Sequence, residues 1–215
     1  MNDSYITVRS QGHGETVIQK SRFIGYAAPC ETEEEAQSFI RSLREMHRDA
    51  KHHCYGYIVG LNSGIMRYSD DGEPGGTAGL PIMNVLRGEK VVNCCVVVVR
   101  YFGGILLGTG GLVRAYTEGC KTALKAAGLV RMEMTSLCLC EVPYSAWDQV
   151  RYGVQEMPVR LDSVEYGVSV SFRLCARTET MPMVLDSLQN RTGRRLTAIP
   201  LEDQFMDWDL RAEDL

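Results

Sequence analysis

Five glycines follow a buried apolar run and precede a helical pattern, and an arginine flanks them on each side. They are Gly103, Gly104, Gly108, Gly110 and Gly111, lying between Arg100 and Arg114. Backbone N–H groups can converge in such a loop, and the dipole of the following helix adds partial positive charge. The pattern predicts a phosphate-binding loop. The alternative is that the glycines permit close packing or turns with positive φ.

The spacing of these glycines excludes two common nucleotide-binding signatures. Gly103 and Gly108 have the GxxxxG spacing, but Thr109 stands where the phosphate-binding loop of an ATPase requires lysine. The GxGxxG spacing of dinucleotide-binding folds is also absent. ATP hydrolysis and Rossmann-type cofactor binding are therefore disfavoured, and we expect no cofactor.

A second candidate segment contains the carboxylates Asp70, Asp71 and Glu73. Three acidic side chains this close together could hold Mg²⁺ with a substrate phosphate, and they could equally stabilise tight turns. Thr77, in the same segment, is the expected N-cap of a short helix over residues 81–86. The spacing does not match an EF-hand loop.

The pair His52 and Cys54 forms a third candidate, because alternate residues of a strand share one face. Nucleophilic catalysis by such a pair needs the two side chains within hydrogen-bond reach and a third group to orient the base. A half-buried histidine and a packed thiol are the alternative. No set of residues has metal-ligand spacing, and no CxxC pair is present, so we expect no metal.

Four aromatic residues lie in or beside the apolar strands: Tyr55, Tyr57, Tyr101 and Phe102. Aromatic side chains of this kind can stack on the bases of a nucleic acid. Packing into the core is the alternative, because their neighbours in the sequence are apolar.

Composition restricts the classes of function. The chain has 215 residues, 45% of them hydrophobic, and a net charge of −4, which suits one large or two small globular domains. Residues 1–130 hold 14 Lys and Arg against 13 Asp and Glu, and residues 131–215 hold 9 against 14. The whole-chain charge therefore disfavours a strongly basic binder of polyanions, and any contact with nucleic acid must use a local patch, for which the first half is favoured.

Neither a membrane anchor nor a secretory signal is visible. The longest apolar run falls far short of the roughly 20 residues that span a bilayer, and the N-terminus lacks a basic and then apolar segment. We therefore expect a cytoplasmic protein that makes no membrane contact. Its eight cysteines are expected to be reduced and packed in apolar strands.

Periodicity predicts the elements that position these residues. Thr32 begins a helix with a capping box that ends on Glu35, and Asn62-Ser63-Gly64 joins two strands as a hairpin. The first half has strands at 17–18, 23–28, 54–59, 65–69 and 91–99, and helices at 81–86 and 112–127. The second half has strands at 132–142, 159–166, 168–175 and 195–201, and helices at 146–156 and 183–190. This second order, β-α-β-β-α-β, is the ferredoxin-like pattern. We predict an α+β protein with domains 1–130 and 131–215, the latter ending in an acidic tail over residues 202–215.

Two separated glycine-rich strings resemble the IMPACT family, specifically its bacterial YigZ branch. The strings are Asp70-Asp71-Gly72-Glu73-Pro74 with Gly76-Thr77-Ala78-Gly79, and Arg100-Tyr101-Phe102-Gly103-Gly104 with Leu107-Gly108-Thr109-Gly110-Gly111-Leu112-Val113-Arg114. Ser21-Arg22-Phe23-Ile24 and Asp49-Ala50-Lys51-His52-His53-Cys54 resemble two further stretches of the family. The resemblance implies an N-terminal domain with the fold of domain 2 of ribosomal protein S five. It also implies a ferredoxin-like C-terminal domain similar to the last domain of elongation factor G.

The resemblance also implies a link to the regulation of translation, because both folds are common among ribosome and RNA-binding proteins. Two positions depart from the family pattern: Leu80 replaces a common Lys or Arg, and Gly75 replaces a common Ser. The resulting expectation is a non-catalytic binding protein that contacts RNA or the ribosome. The alternative is a Mg²⁺-dependent phosphate-ester or nucleotide-processing enzyme that uses Asp70, Asp71 and Glu73. The oligomeric state stays open.

Overall fold

The computed structural model describes residues 4–61 and 64–210 of the chain. It is an α+β protein, as the sequence predicts, that divides into two compact units. The first comprises Met1–Met132 with Asp207–Leu215, and the second comprises Glu133–Met206. The predicted boundary at residue 130 stays a prediction.

A five-stranded antiparallel sheet forms the centre of the first unit, with the strand order β2-β3-β6-β4-β5. Its strands are β2 (Gly12–Ile18), β3 (Ser21–Pro29), β4 (His52–Val59), β5 (Ile65–Ser69) and β6 (Cys94–Tyr101). The predicted pairing of β4 with β5 is confirmed, although Asn62 and Ser63 of the predicted turn lie outside the described residues. The central strand β6 is buried along nearly its whole length, which explains its unbroken apolar sequence.

Three helices cover the two faces of this sheet: α1 (Glu33–Met46), α2 (Gly79–Gly88) and α3 (Gly108–Ala127). Helices α2 and α3 enclose one apolar core with the side chains that β3, β4 and β6 direct to their face. Helix α1 encloses a second core on the opposite face. The predicted capping box of Thr32 and Glu35 is present at the start of α1.

The second unit has the predicted element order. Most of strand β7 (Leu129–Val142) belongs to it, and α4 (Tyr144–Gln155), β8 (Val159–Tyr166), β9 (Val170–Arg177), α5 (Met181–Arg191) and β10 (Thr197–Pro200) follow. The strand order is β10-β7-β9-β8, and all three pairings are antiparallel. Its core contains Cys138 and Cys140, which are buried among apolar side chains as expected.

Two strands were not predicted, β1 (Ser4–Val8) and β11 (Gln204–Asp209), and both pair with β7. The prediction of an acidic tail over residues 202–215 is wrong for the part occupied by β11. Asp207 and Asp209 both bind Arg9, at 3.1 and 2.5 Å, and Trp208 between them is buried. Asp207 and Asp209 are the outward-facing residues of a strand whose intervening residue is buried. The number of acidic residues in the segment does not reveal this alternation of exposed and buried side chains.

Candidate functional site

The segment from Asp70 to Gly79 begins where β5 ends, and hydrogen bonds of Asp71 join it to the first residues of β4. The Asp71 carboxylate accepts hydrogen bonds from the backbone N–H of His53 at 2.6 Å and from the Arg44 guanidinium at 2.6 Å. Nδ1 of His52 lies 2.9 Å from the Asp71 carbonyl oxygen, and because a carbonyl only accepts, this nitrogen carries the proton. Burial and the nearby Arg44 lower the pKa of His53.

Asp70 caps helix α2, a role that the sequence assigned to Thr77. Its carboxylate accepts hydrogen bonds from the backbone N–H groups of Gly76, Ala78 and Gly79 at 2.8–2.9 Å. Burial alone would raise the pKa of the Asp70 carboxyl, but these donors outweigh burial and the pKa is lowered. The Thr77 hydroxyl instead donates to the Pro74 carbonyl at 2.7 Å. The N-cap prediction is wrong because the cap comes from Asp70, nine positions before the first helical residue Gly79, which local spacing does not detect.

Glu73 lies in a buried ion pair with Arg100. Arg100 Nη1 and the Tyr116 hydroxyl donate to the same oxygen, Glu73 Oε1, at 2.6 and 2.7 Å. The Arg100 and Glu73 side chains are only 7% and 4% exposed. The sequence pattern places Arg100 at the edge of a predicted phosphate-binding loop. The structure pairs it with Glu73, because β6 ends beside the third acid of the segment.

Burial also determines the state of Cys54. Its thiol donates to the Asp70 carbonyl at 3.0 Å, and burial raises the pKa of this thiol far above its usual value. His52 and Cys54 therefore each bond to a carbonyl of the acidic segment rather than to each other. A protonated, enclosed thiol is a poor nucleophile.

The three carboxylates do not converge on a common point. Asp70 caps a helix, Asp71 binds Arg44 and β4, and Glu73 binds Arg100 and Tyr116. Over residues 4–61 and 64–210, no group of three or more His, Cys, Asp or Glu side chains is arranged to hold a metal ion. The structure gives the Mg²⁺-dependent interpretation no support.

The glycine-rich segment has two structural parts. A Cβ on Gly103 would lie about 2.0 Å from the Lys20 backbone, and Gly103 N–H donates to Ser21 Oγ at 3.1 Å. This glycine therefore permits close packing against the β2–β3 turn. Gly104 and Gly108 have φ of +85° and +69°, which other residues rarely adopt.

Helix α3 starts at Gly108, four residues before the predicted start at Leu112. Glycine has low helix propensity, so the sequence predicts a loop where Gly108, Gly110 and Gly111 form the first turn. No side chain caps this end, and the first turn contains no acidic residue. Gly108, Thr109 and Gly110 are exposed, and nothing lies within 4 Å of a Cβ built on Gly108 or Gly110.

Arg114 lies on the same face of α3 as Gly110 and Gly111, because residues three and four apart are neighbours on a helix. Its side chain is exposed, and the Cα–Cβ bonds of a helix incline toward the N-terminus of that helix. In the described chain Arg114 makes no hydrogen bond and no ion pair. Helix α3 thus exposes the N–H groups of its first turn, which lack intrahelical acceptors, and the Arg114 guanidinium on its second turn.

Comparison with known proteins now identifies the family. The Impact N-terminal domain matches residues 19–124. The chain is 39% identical over 172 residues to the IMPACT family member YvyE of Bacillus subtilis, covering 80% of this chain and 79% of that protein. The chain belongs to the IMPACT family. The IMPACT family member YigZ of Escherichia coli is 50% identical over 110 residues, which cover 50% of this chain and 54% of YigZ.

A solved structure agrees with this membership. The crystal structure of a hypothetical protein superposes with a TM-score of 0.59 at 31% identity and covers 94% of this chain and 99% of its own. The match to the Impact N-terminal domain includes every candidate site residue from His52 to Tyr116. Across residues 4–61 and 64–210 of this IMPACT protein, we find no helix with the length and apolar character needed to cross a membrane.

A row of contacting side chains, which we call the aromatic column, runs in the IMPACT domain from the buried Tyr116 to the exposed Phe102. Buried Tyr116 and Phe23 meet edge to face, with ring centroids 5.3 Å apart. The Arg100 guanidinium lies over the Phe23 ring at 5.4 Å and over the Phe102 ring at 5.5 Å. The column therefore runs Tyr116, Phe23, Arg100, Phe102, and its last ring is 54% exposed.

Sequence reasoning found only part of this column. Phe102 is a predicted stacking residue, whereas Tyr116 belongs to none of the candidate sites predicted from the sequence. A buried tyrosine hydroxyl usually has a hydrogen-bond partner, and this signal could have identified Glu73. Of the other candidate aromatic residues, Tyr57 is buried and packs against Tyr55, and Tyr101 bonds to His47.

Proposed function

We propose that this IMPACT protein is a non-catalytic binding protein that contacts RNA, on the ribosome and in the regulation of translation. The observation that carries the proposal is the exposed, uncapped N-terminus of α3 together with Arg114 on the second turn of the same helix, exposed and without a partner among the described residues. The proposed phosphate contacts are the backbone N–H groups of Gly108 and Gly110 and the Arg114 guanidinium.

The physics of this helix end favours an anion. The first N–H groups of a helix lack intrahelical acceptors, and α3 is 20 residues long, so its dipole is fully developed. Arginine matches the oxygens of a phosphate with its planar fork of donors. Gly103, Gly104 and Gly111 shape the loop and the first turn, and Arg100, being paired with Glu73, acts through the fold instead of through phosphate.

We further infer that the first unit has the fold of domain 2 of ribosomal protein S five and that the second is ferredoxin-like. The antiparallel order β10-β7-β9-β8 supports the second assignment, because it places the first and third strands of the β-α-β-β-α-β unit at the centre. Both folds occur in the translation machinery, which is the basis for proposing the ribosome as the site of action.

Titration of a labelled single-stranded RNA by anisotropy over a series of KCl concentrations tests phosphate binding. With a few local contacts we expect dissociation constants on the order of micromolar or weaker at physiological salt. Arg114→Ala should weaken binding and flatten the logarithmic salt dependence by about 0.7, because one fewer phosphate is neutralised. Sequence preference should not change, because phosphate contacts position the nucleic acid without specifying a base.

The matched control is Lys125→Ala, which removes an exposed positive charge from the other end of the same helix. It lies about 16 Å farther along the axis, since each helical residue rises about 1.5 Å. Equal losses for Arg114→Ala and Lys125→Ala would mean that net charge, and not the helix end, attracts RNA. Absence of salt-dependent binding by the unaltered protein would reject the proposal.

Sedimentation through sucrose gradients tests the ribosomal part of the proposal. At low salt the unaltered protein should migrate with ribosomal particles, and Arg114→Ala should shift it toward the top of the gradient. A protein that stays at the top at low salt, while binding free RNA, would restrict the function to RNA outside the ribosome.

A fragment experiment tests the assignment of two domains. Fragments 1–130 and 131–215 should each give dispersed amide resonances if each half folds alone. Because Asp207–Leu215 groups with the first unit, the shorter fragment 133–206 should give a spectrum as dispersed as that of 131–215. Collapsed spectra from both halves would contradict the assignment.

A further inference from the structure

The aromatic column ends at the surface with the Phe102 ring, which is 54% exposed. The Arg100 guanidinium lies over both the Phe23 ring and the Phe102 ring, at 5.4 and 5.5 Å from their centroids. One face of Phe102 is thus covered by Arg100, and the exposed half of this side chain must lie on the opposite face and the ring edges. An exposed phenylalanine held against a buried cation is suited to flat aromatic ligands, because little side-chain entropy is lost on stacking.

Buried hydrogen bonds to Glu73 hold two members of the column, Arg100 and Tyr116. Arg100 cannot swing away, because Glu73 binds its Nη1 and Tyr116 binds the same carboxylate oxygen. Gly103, directly after Phe102, packs against the Lys20 backbone, where any larger residue would collide. The ring of Phe102 is therefore fixed from both its side chain and its backbone, which pre-organises it for binding.

We propose that Phe102 is the stacking site for one unpaired base of single-stranded RNA, whose phosphates lie on the N-terminus of α3. This inference rests on the proposed function and adds to it a ligand class: an unstacked nucleotide. Phe102 and Gly108 are the two ends of one short loop, so a single strand can contact both. Bases inside a duplex are already stacked and paired, and extracting one costs a few kcal/mol.

Two neighbours on the same loop favour a base over a phosphate at this position. Ile105 and Leu106, three and four residues after Phe102, are also exposed, the latter to 84%, so the loop presents apolar side chains to solvent. A nucleobase places its flat apolar face on such a surface and leaves its edges in water. Stacking tolerates any base, because every base has a π-face.

Anisotropy titrations of the full chain test the proposal with two probes, a labelled ten-nucleotide single-stranded RNA and a labelled duplex of equal length at the same KCl concentration. The variant is Phe102→Leu, which removes the ring and keeps an apolar side chain. Loss of one stacked base should weaken single-strand binding by about fivefold or more, the equivalent of about 1 kcal/mol. Duplex binding, which depends on phosphates, should stay within about twofold.

Two further variants make the result specific. Phe102→Trp keeps a stacking surface and should retain or strengthen single-strand binding. Tyr152→Leu removes an exposed aromatic side chain from the second unit and should leave both affinities unchanged. Equal weakening by Phe102→Leu and Tyr152→Leu would overturn the proposal, since it would show a general effect of exposed rings.

A measurement on the unaltered protein covers the case in which Phe102→Leu folds poorly. Ultraviolet crosslinking to oligouridine containing 4-thiouridine, followed by peptide mapping, should place a crosslink on Phe102 or its loop. Crosslinks confined to other elements would overturn the stacking site.

If RNA binds with an Arg114-dependent salt slope while Phe102→Leu behaves as the unaltered protein, the proposed function stands and this inference is rejected. If no RNA binds, both are rejected.

Discussion

The acidic segment from Asp70 to Gly79 and the glycine-rich segment from Phe102 to Arg114 look equally suited to chemistry in the sequence, and the structure uses them in opposite ways. In the acidic segment each carboxylate is bound by donors of the protein itself. In the glycine-rich segment the helix end is uncapped, Arg114 is free and Phe102 is half exposed. The first segment supports the fold, and the second leaves groups available to a ligand.

The two arginines that flank the glycines show the same division. Arg100 is buried and binds Glu73, whereas Arg114 is exposed and has no partner within the described residues. The two arginines have the same charge and both flank the glycines, and they differ in burial and in pairing. Substitutions at the two positions should therefore affect different properties.

The largest effect is expected for Arg100→Ala. It leaves the Glu73 carboxylate buried without its cation, and breaking a buried pair in this way costs about 3–5 kcal/mol. Urea unfolding followed by circular dichroism should show this loss of stability. The double variant Arg100→Met with Glu73→Leu should recover much of it, because neither charge then remains buried alone. A loss under about 1 kcal/mol for Arg100→Ala would mean that the pair is solvated in solution.

A smaller effect is expected for Asp70→Ala, which removes the cap of α2. Loss of a helix cap typically costs about 1–2 kcal/mol. The lowered pKa of Asp70 fixes the pH range: its contribution is complete above the unfolded-state value of about 3.9 and is lost as pH falls through the folded-state pKa. Melting curves from pH 7 to 3 should therefore converge for the unaltered protein and the variant at the acid end.

The control for Asp70→Ala is Asp49→Ala, at an exposed aspartate after α1. It should melt within about 0.5 kcal/mol of the unaltered protein. Equal destabilisation by the two substitutions would contradict the capping role of Asp70.

How much could be predicted from the sequence depends on the range of the interactions. The helix start at Thr32 and both ends of β8 are as predicted, because local patterns define them. The cap of α2 was assigned to Thr77 because Asp70 lies too far away in the chain for a local rule. The start of α3 at Gly108 and the strand β11 contradict local propensity, and tertiary packing overrides that propensity.

The candidate site was predictable as a set of residues but not as a set of contacts. Both glycine-rich segments and Phe102 were identified, whereas the Glu73–Arg100–Tyr116 cluster joins three elements that are far apart in sequence. Residue type and spacing report which groups are present. Whether a charged group faces a partner or a solvent-exposed ligand site is decided by the fold.

A modest pH effect is expected from His47, which joins two tyrosines. Its Nε2 lies 2.7 Å from the Tyr26 hydroxyl and its Nδ1 lies 2.9 Å from the Tyr101 hydroxyl. Burial, with a contribution from Arg22, lowers the pKa of His47. The unfolded state therefore binds the proton more readily, so the stability contribution is complete above pH of about 6.5 and falls as the pH decreases below it.

The variant His47→Gln keeps hydrogen-bonding capacity and does not titrate in this range. Its melting temperature should decrease less than that of the unaltered protein between pH 7 and 5.5. Some dependence should remain, because burial also lowers the pKa of His53. Identical slopes for the two proteins would exclude His47 as a contributor.

The smallest stability effect is expected for Arg114→Ala, and it completes the comparison with Arg100. Arg114 is exposed and unpartnered in the described chain, so its removal should change the free energy of unfolding by no more than about 0.5 kcal/mol. A slight stabilisation is the more informative outcome, because a cation near the positive end of a helix dipole is unfavourable. Urea unfolding of Arg114→Ala and of Arg100→Ala measures the change in the free energy of unfolding for each variant.

Clear destabilisation by Arg114→Ala would show that this arginine also stabilises the fold. Any loss of RNA affinity would then have to be attributed to damage to α3. If the stability is retained while the salt dependence of RNA binding flattens, the charge of Arg114 serves ligand binding and not the stability of the fold.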